Sequence, residues 1–178
     1  MIIMKKIKII GVFVIMGLSV LSHFLYEWCN NFVFSILFPV NESIWEHMKL
    51  LVTPVLIYSF IEYFIYRKKG IKFNNFSLSY SISIIVGIVS YLIIYLPIDH
   101  FFGHNMIVSI VLLFLDYVLI LYISYSILNA KVIKHSKLIG TLIIVFIYFI
   151  FYYLTYYPVH SYIFYDTKDK IYGIKKEE

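Results

Sequence analysis

The sequence predicts an all-α protein, a polytopic bundle of five transmembrane helices in one integral membrane domain covering residues 1–178. Three observations lead there. Of the 178 residues, 62% are hydrophobic and 20% aromatic; the mean hydropathy is +0.87; and apolar runs of roughly 20 residues, the length that crosses a hydrocarbon core about 30 Å thick, recur along the chain with short polar stretches between them. A soluble domain does not have this composition. The formal charge of +5 comes largely from residues lying between the apolar runs, where they set orientation, so the chain is expected to bind membrane lipids and no nucleic acid.

The first run, Ile7 to Tyr26, follows a basic start and so resembles a secretory signal. It lacks a small-x-small cleavage pattern, and Tyr26, Glu27 and Trp28 before Cys29 do not form a lipoprotein box, which predicts an uncleaved anchor. Cys29 is the only cysteine and cannot form an internal disulfide. The second run, Ile44 to Tyr66, carries Pro54, which removes a backbone donor and predicts a kink or a short tilted leading helix. The third, Ser77 to Pro97, leads into "LPIDHFFGHN", where Pro97 and Gly103 predict a turn. Met106 to Leu128 and Leu138 to Tyr157 complete the set. In the remaining tail, 158–178, an aromatic strand-like stretch with a polar turn at Asp166 to Lys170 is expected either to fold over the bundle as a lid or to lie along lipid headgroups.

Lys and Arg resist translocation. Lys5, Lys6 and Lys8 precede the first run; Arg67, Lys68, Lys69 and Lys72 separate the second from the third; Lys131, Lys134 and Lys137 separate the fourth from the fifth. These groups share one side, so the amino terminus is expected inside and the carboxyl terminus outside. Glu27, Glu42, Glu46, Asp99, Asp166, Asp169, Glu177 and Glu178 then collect at the outer face, together with His23, His47, His100, His104 and His160.

The stretch "PVNESIWEHMKL", residues 39 to 50, concentrates ionisable groups at the start of the second run. Capping accounts for part of it: Ser43 with Glu46 matches a capping box, Asn41 is a good N-cap, and Val40 with Trp45 fits a hydrophobic staple. His47 and Lys49 are left over, and Glu42 and Glu46 at i and i+4 are expected to share a face and repel. Carboxylates held together share a proton or bind a cation. On the first helix His23 and Glu27 are also i and i+4, and Asp99, His100, His104 and His160 come from the other outer segments. Asp116 lies about 15 Å into the fourth helix, near the midplane, where a carboxylate must face the bundle interior. Glu62 lies one turn from the inner end, within reach of Arg67 or Lys68.

The 39–50 stretch, "SHFLYEW" at the end of the first helix, and "PVHSYIFYDTKDKIYGI" in the tail together resemble a family of small bacterial multi-pass membrane proteins of unknown function. Its Asn-Glu-Ser-x-Trp-Glu-His-x-Lys-Leu signature falls here on Asn41, Glu42, Ser43, Trp45, Glu46, His47 and Lys49. The resemblance spans nearly the whole chain and implies a five-helix fold in a bacterial cell membrane, with no activity attached.

The residues themselves suggest a metal-dependent hydrolase opening on the outer face. A cation such as zinc would draw three or four ligands from His23, Glu27, Glu46, His47, His100, His104 and His160. Glu42, Glu46 and Asp116 are the candidate catalytic carboxylates, Glu42 as general base. A lipid, lipid-linked or peptide substrate is expected; with Arg scarce in the outer region, Lys49 alone makes a poor phosphate clamp. Two other classes remain open. One is a proton- or cation-coupled transporter built on Asp116, His23 and the outer carboxylates, although five helices do not divide into two equal repeats. The other is a non-catalytic scaffold or sensor in which the outer histidines respond to acid pH.

Overall fold

The computed structural model describes residues 2–174. Glu177 and Glu178, placed outside by the charge pattern, lie beyond the described residues. The fold is mostly helical: α1 (Ile2–Trp28), α2 (Phe32–Leu37), α3 (Ile44–His47), α4 (Thr53–Lys68), α5 (Phe76–Phe102), α6 (Met106–Leu128) and α7 (Ser136–Tyr156). A 3-10 turn, Met48–Leu51, joins α3 to α4, and a second one, Tyr162–Phe164, precedes a small hairpin of β1 (Tyr165–Asp166) and β2 (Ile171–Tyr172). Among the described residues, five helical units are long and apolar enough to cross a membrane: α1, the stretch Ile44–Lys68, α5, α6 and α7.

The stretch Ile44–Lys68 is the centre of the bundle. Of its most apolar window 61% is buried, against 17–33% for the other four units. Around it α5 packs on α6 and α7, and α1 packs on α6 and α4. The core runs through Ile15, Met48, Leu51, Val55, Ile84, Tyr117 and Ile120. The outward faces stay apolar, with Phe13, Phe60, Ile93, Leu115, Phe146 and Phe149 all exposed. So many exposed large apolar side chains suit lipid rather than water.

Local chemistry explains several helix ends. Asn31 Oδ1 accepts the Phe34 N–H of α2, Ser43 Oγ accepts the Glu46 N–H of α3, and Asn105 Oδ1 accepts the Ile107 and Val108 N–H groups of α6. Each side chain satisfies a donor that the first helical turn leaves free. Pro54 sits in the first turn of α4, where its missing N–H costs nothing. The predicted bend is therefore a break: a one-turn α3, a 3-10 turn, then α4. Pro97 behaves differently from expectation. Helix α5 continues through it to Phe102 and ends at Gly103, φ +77°, so "LPIDHFF" is helix and the turn is confined to 103–105. A Cβ at Gly140 of α7 would overlap the backbone of Ser77 and Leu78, which makes this glycine a point of close approach between α7 and α5.

Buried charge ties the helices together at the end where α4 finishes. Lys8 Nζ lies 2.9 Å from Glu62 Oε2 and donates to Ser124 Oγ at 2.6 Å. Tyr80 donates to Glu62 Oε2 at 2.6 Å and Tyr66 to Oε1 at 2.9 Å. Glu62 thus pairs across the bundle with Lys8 and not, as its spacing suggests, with Arg67 or Lys68. Five buried side chains from α1, α4, α5 and α6 satisfy one another, the condition under which a buried ion pair is tolerated.

Candidate metal centre

The 39–50 stretch divides its polar groups between an inward anchor and an outward cluster. Ser43 caps α3, so Glu42 stands before the helix and Glu46 within its first turn; the two carboxylates do not share a face. Glu46 turns inward. Its Oε2 lies 2.6 Å from Lys49 Nζ and accepts the Val40 N–H at 3.0 Å, while Oε1 accepts the Thr155 hydroxyl of α7 at 2.7 Å. Lys49 also donates to the Ser35 carbonyl at 2.7 Å and to Thr155 Oγ1 at 2.9 Å. With both charges buried and every acceptor answered, Glu46 and Lys49 act as a fastener joining α2, the loop, α3 and α7. Neither faces the cluster.

Glu42 turns outward, where it meets histidines from two helices. Its Oε2 lies 3.4 Å from His47 Nε2 and 3.7 Å from His23 Nε2. Among the described residues, one group of three or more His, Cys, Asp or Glu side chains has ligand atoms all within 4.8 Å of one another: His23, Glu42 and His47. The tautomer of His47 follows from its other nitrogen. Nδ1 lies 2.8 Å from the Ser43 carbonyl, which can only accept, so Nδ1 carries a proton. A neutral His47 therefore points an Nε2 lone pair at a carboxylate oxygen. Two acceptors at 3.4 Å repel unless a positive charge, a proton or a metal ion, lies between them.

The spacing suits the second possibility. Ligand bonds of about 2.0–2.1 Å in a tetrahedral zinc site place neighbouring ligand atoms roughly 3.3 Å apart, close to the separations found here. A carbonyl fixing Nδ1 so that Nε2 can bind is the usual support of a metal-bound histidine. With a proton on His47 Nε2 the contact outweighs partial burial and holds the Glu42 carboxyl down at about 2; the carboxylate is then ionised, as a ligand must be, and a metal ion would take that proton's place. A His23/Glu42/His47 group of this geometry could hold a metal.

The cluster opens into a polar cavity of about 310 Å³ whose lining includes His23, Glu27, Asn30, Glu42, Asp166 and Lys168. The tail forms one wall. Tyr165 pairs with Tyr172 and Asp166 with Ile171 in an antiparallel hairpin, whose turn brings Lys168 Nζ to 3.9 Å from Glu42 Oε1. Asn41 Nδ2 donates to the Gly173 carbonyl at 2.8 Å. The tail therefore folds back over this end of the bundle.

A family model matches residues 1–174; it describes a family of unknown function, DUF6512. The chain belongs to this family. No curated protein and no solved structure matches it.

In this DUF6512 chain the remaining candidates lie apart from the cluster. Glu27 lines the cavity, but the carboxylate that meets His23 is Glu42, not the i+4 neighbour. His100 packs on Phe101, and His160 stacks on Tyr172 within the tail. His104 lies on the 103–105 turn with Nδ1 2.8 Å from Tyr95 OH, beside the buried Asp99. Asp99 accepts hydrogen bonds from Tyr95 and from Tyr162 of the tail, the latter pushing the Tyr162 hydroxyl up to about 12. Asp116 is buried beside Ser90. Trp45 packs between Phe151 and Phe164. Of the ligand pool read from the sequence, His23 and His47 come together, while His100, His104 and His160 are outside that group among the described residues. Sequence reasoning missed Asp166 and Lys168 as neighbours of Glu42. Only the strand-turn-strand pattern of the tail pointed to them.

Proposed function

We propose that this chain is a multi-pass protein of the bacterial cell membrane that acts as a metal-dependent hydrolase, with His23, Glu42 and His47 holding a divalent cation such as zinc at the outer face. The observation that carries the reading is the His47 geometry: with Nδ1 held on the Ser43 carbonyl, Nε2 faces the Glu42 carboxylate at 3.4 Å, and a second imidazole completes the set. Two histidines and one glutamate form a recurrent catalytic zinc set, in which the fourth position stays open. A cation so held supplies Lewis acidity and a nucleophile at neutral pH.

The roles differ from those read off the spacing. Glu42 would serve as a ligand, which leaves Glu27, on the same cavity wall, as the carboxylate that would accept a proton from water. Asn30 and Lys168 face the substrate. The cavity sits at the rim of the bundle, reachable from the outer aqueous phase and from the headgroup layer, which favours a peptide or a lipid-linked amide or ester. The positive-inside pattern of the lysines supports this orientation. In proteoliposomes, hydrolysis of such substrates is expected to cease with a chelator, to return with zinc, and to be lost in Glu27→Gln while zinc binding persists. Turnover unaffected by chelation would refute it.

A cation-coupled transporter is the second reading, favoured by the burial of Asp116 in α6. It predicts ion flux that Asp116→Asn abolishes, with no dependence on His47.

A further inference from the structure

A single tail residue touches both the cavity wall and the backbone of the carboxylate at its centre. Asp166 is buried at 1% exposure. Its Oδ1 accepts the Lys168 N–H at 2.7 Å and the Asp169 N–H at 3.1 Å, which shapes the hairpin turn. Its Oδ2 accepts the Glu42 N–H at 3.0 Å from a residue 124 positions away in the chain. The same hairpin thus meets Glu42 twice: Asp166 accepts its backbone N–H, and the exposed Lys168 comes to 3.9 Å from Oε1. Oε2 is left facing the two imidazoles.

The hairpin has its own fastenings. Asn41, next to Glu42, donates to the Gly173 carbonyl. Gly173 has φ +66°, and a Cβ there would lie 2.7 Å from the Thr155 carbonyl oxygen at the end of α7. At its start the tail is held by Tyr162 on Asp99. Displacing the hairpin would free the Glu42 main chain and take Lys168 away from this wall.

We infer that the tail hairpin and the metal centre form one cooperative unit in which Asp166 is a positioning residue for Glu42. Cation binding at His23, Glu42 and His47 fastens the hairpin, and undocking the hairpin weakens the cation site. The inference rests on the metal-centre reading above. Its physical basis is linkage: if the docked hairpin raises the affinity for the cation, the cation must stabilise the docked hairpin by the same factor. Groups that hold a ligand residue in place without touching the metal alter affinity by about 10–100-fold when removed.

The test is calorimetric titration of the full-length protein in micelles with zinc chloride, together with amide hydrogen exchange over residues 165–173. Asp166→Ala should weaken zinc binding by about 10–100-fold, and Asp166→Asn, which keeps one acceptor oxygen, should restore part of the loss. Gly173→Ala touches none of the three ligands and should weaken zinc as well. Zinc should slow exchange of the 165–173 amides in the wild type and leave it unchanged in His47→Ala. If the wild type binds zinc but Asp166→Ala and Gly173→Ala bind it within a factor of about 2, far inside that range, and exchange does not respond, the coupling is wrong and the metal centre stands. If the wild type binds no zinc, both fall. Should Asp166→Ala not fold, Gly173→Ala and the wild-type exchange still decide the matter.

Discussion

Lys49 Nζ lies 2.6 Å from Glu46 Oε2, and neither side chain is more than 2% exposed. Removing one member of such a pair strands the other charge, at a cost of about 3–5 kcal/mol, whereas replacing both by apolar groups is far milder. Lys49→Met and Glu46→Gln should therefore each lower unfolding stability in micelles sharply, and the double variant Glu46→Leu, Lys49→Met should recover much of the loss. Glu42→Gln, in contrast, should abolish metal binding with little effect on the melt. Additive single losses in the double variant would show that the two residues act independently.

The Lys8–Glu62 pair gives a second contrast. Lys8→Met should destabilise the bundle by about 3–5 kcal/mol, because Glu62 would be left buried without its cationic partner. Arg67→Gln or Lys68→Gln should change stability by no more than about 0.5 kcal/mol, as exposed substitutions do. A large loss in Arg67→Gln would return Glu62 to the pairing its spacing suggests.

Glycine substitutions separate close helix packing from helix propensity. Gly140→Ala should destabilise by about 1–3 kcal/mol, since the new methyl meets main chain rather than a movable side chain. A Cβ added at Gly17 would meet nothing within 4 Å, so Gly17→Ala should be neutral or stabilising by up to about 1 kcal/mol. Equal melting points for the two variants would contradict the close approach of α5 and α7.

The pH response follows from Glu42. Its folded value, about 2, lies below the ordinary range of about 4.3, so its interaction with the histidines is fully present above that range and is lost only as pH falls towards 2. Protonation of Glu42 therefore cannot be what releases zinc near neutral pH. When zinc affinity is measured over a pH series, Glu42→Asp should leave the midpoint of release unchanged. A midpoint that follows the carboxylate substitution would place the controlling proton on residue 42.

Hydropathy alone makes the five-helix architecture legible, because a span in hydrocarbon must be a continuous run of apolar residues. Proline is harder to read. Pro54 and Pro97 look alike in the sequence, yet one lies in a first turn and the other within a continuing helix, and tertiary packing decides between them. Spacing singles out His23 and His47 but assigns His23 a partner on its own helix, since i, i+4 is the only proximity that a linear pattern reveals. The actual partner, Glu42, and the hairpin residues Asp166 and Lys168 come from distant segments. Their meeting depends on how the loop after α2 and the tail fold over the bundle, which no local rule encodes. Glu46 and Lys49 illustrate the same limit: a capping-box glutamate and a spare lysine become a buried ion pair only when α7 supplies Thr155.

The central claim is that His23, Glu42 and His47 bind one divalent cation, and the most direct measurement is zinc content per chain after purification and dialysis against zinc. The account predicts about one zinc per chain in the wild type, lost in His47→Ala and in Glu42→Ala and retained in His100→Ala and His160→Ala. No zinc in the wild type, or the same zinc content in all of these variants, would contradict it.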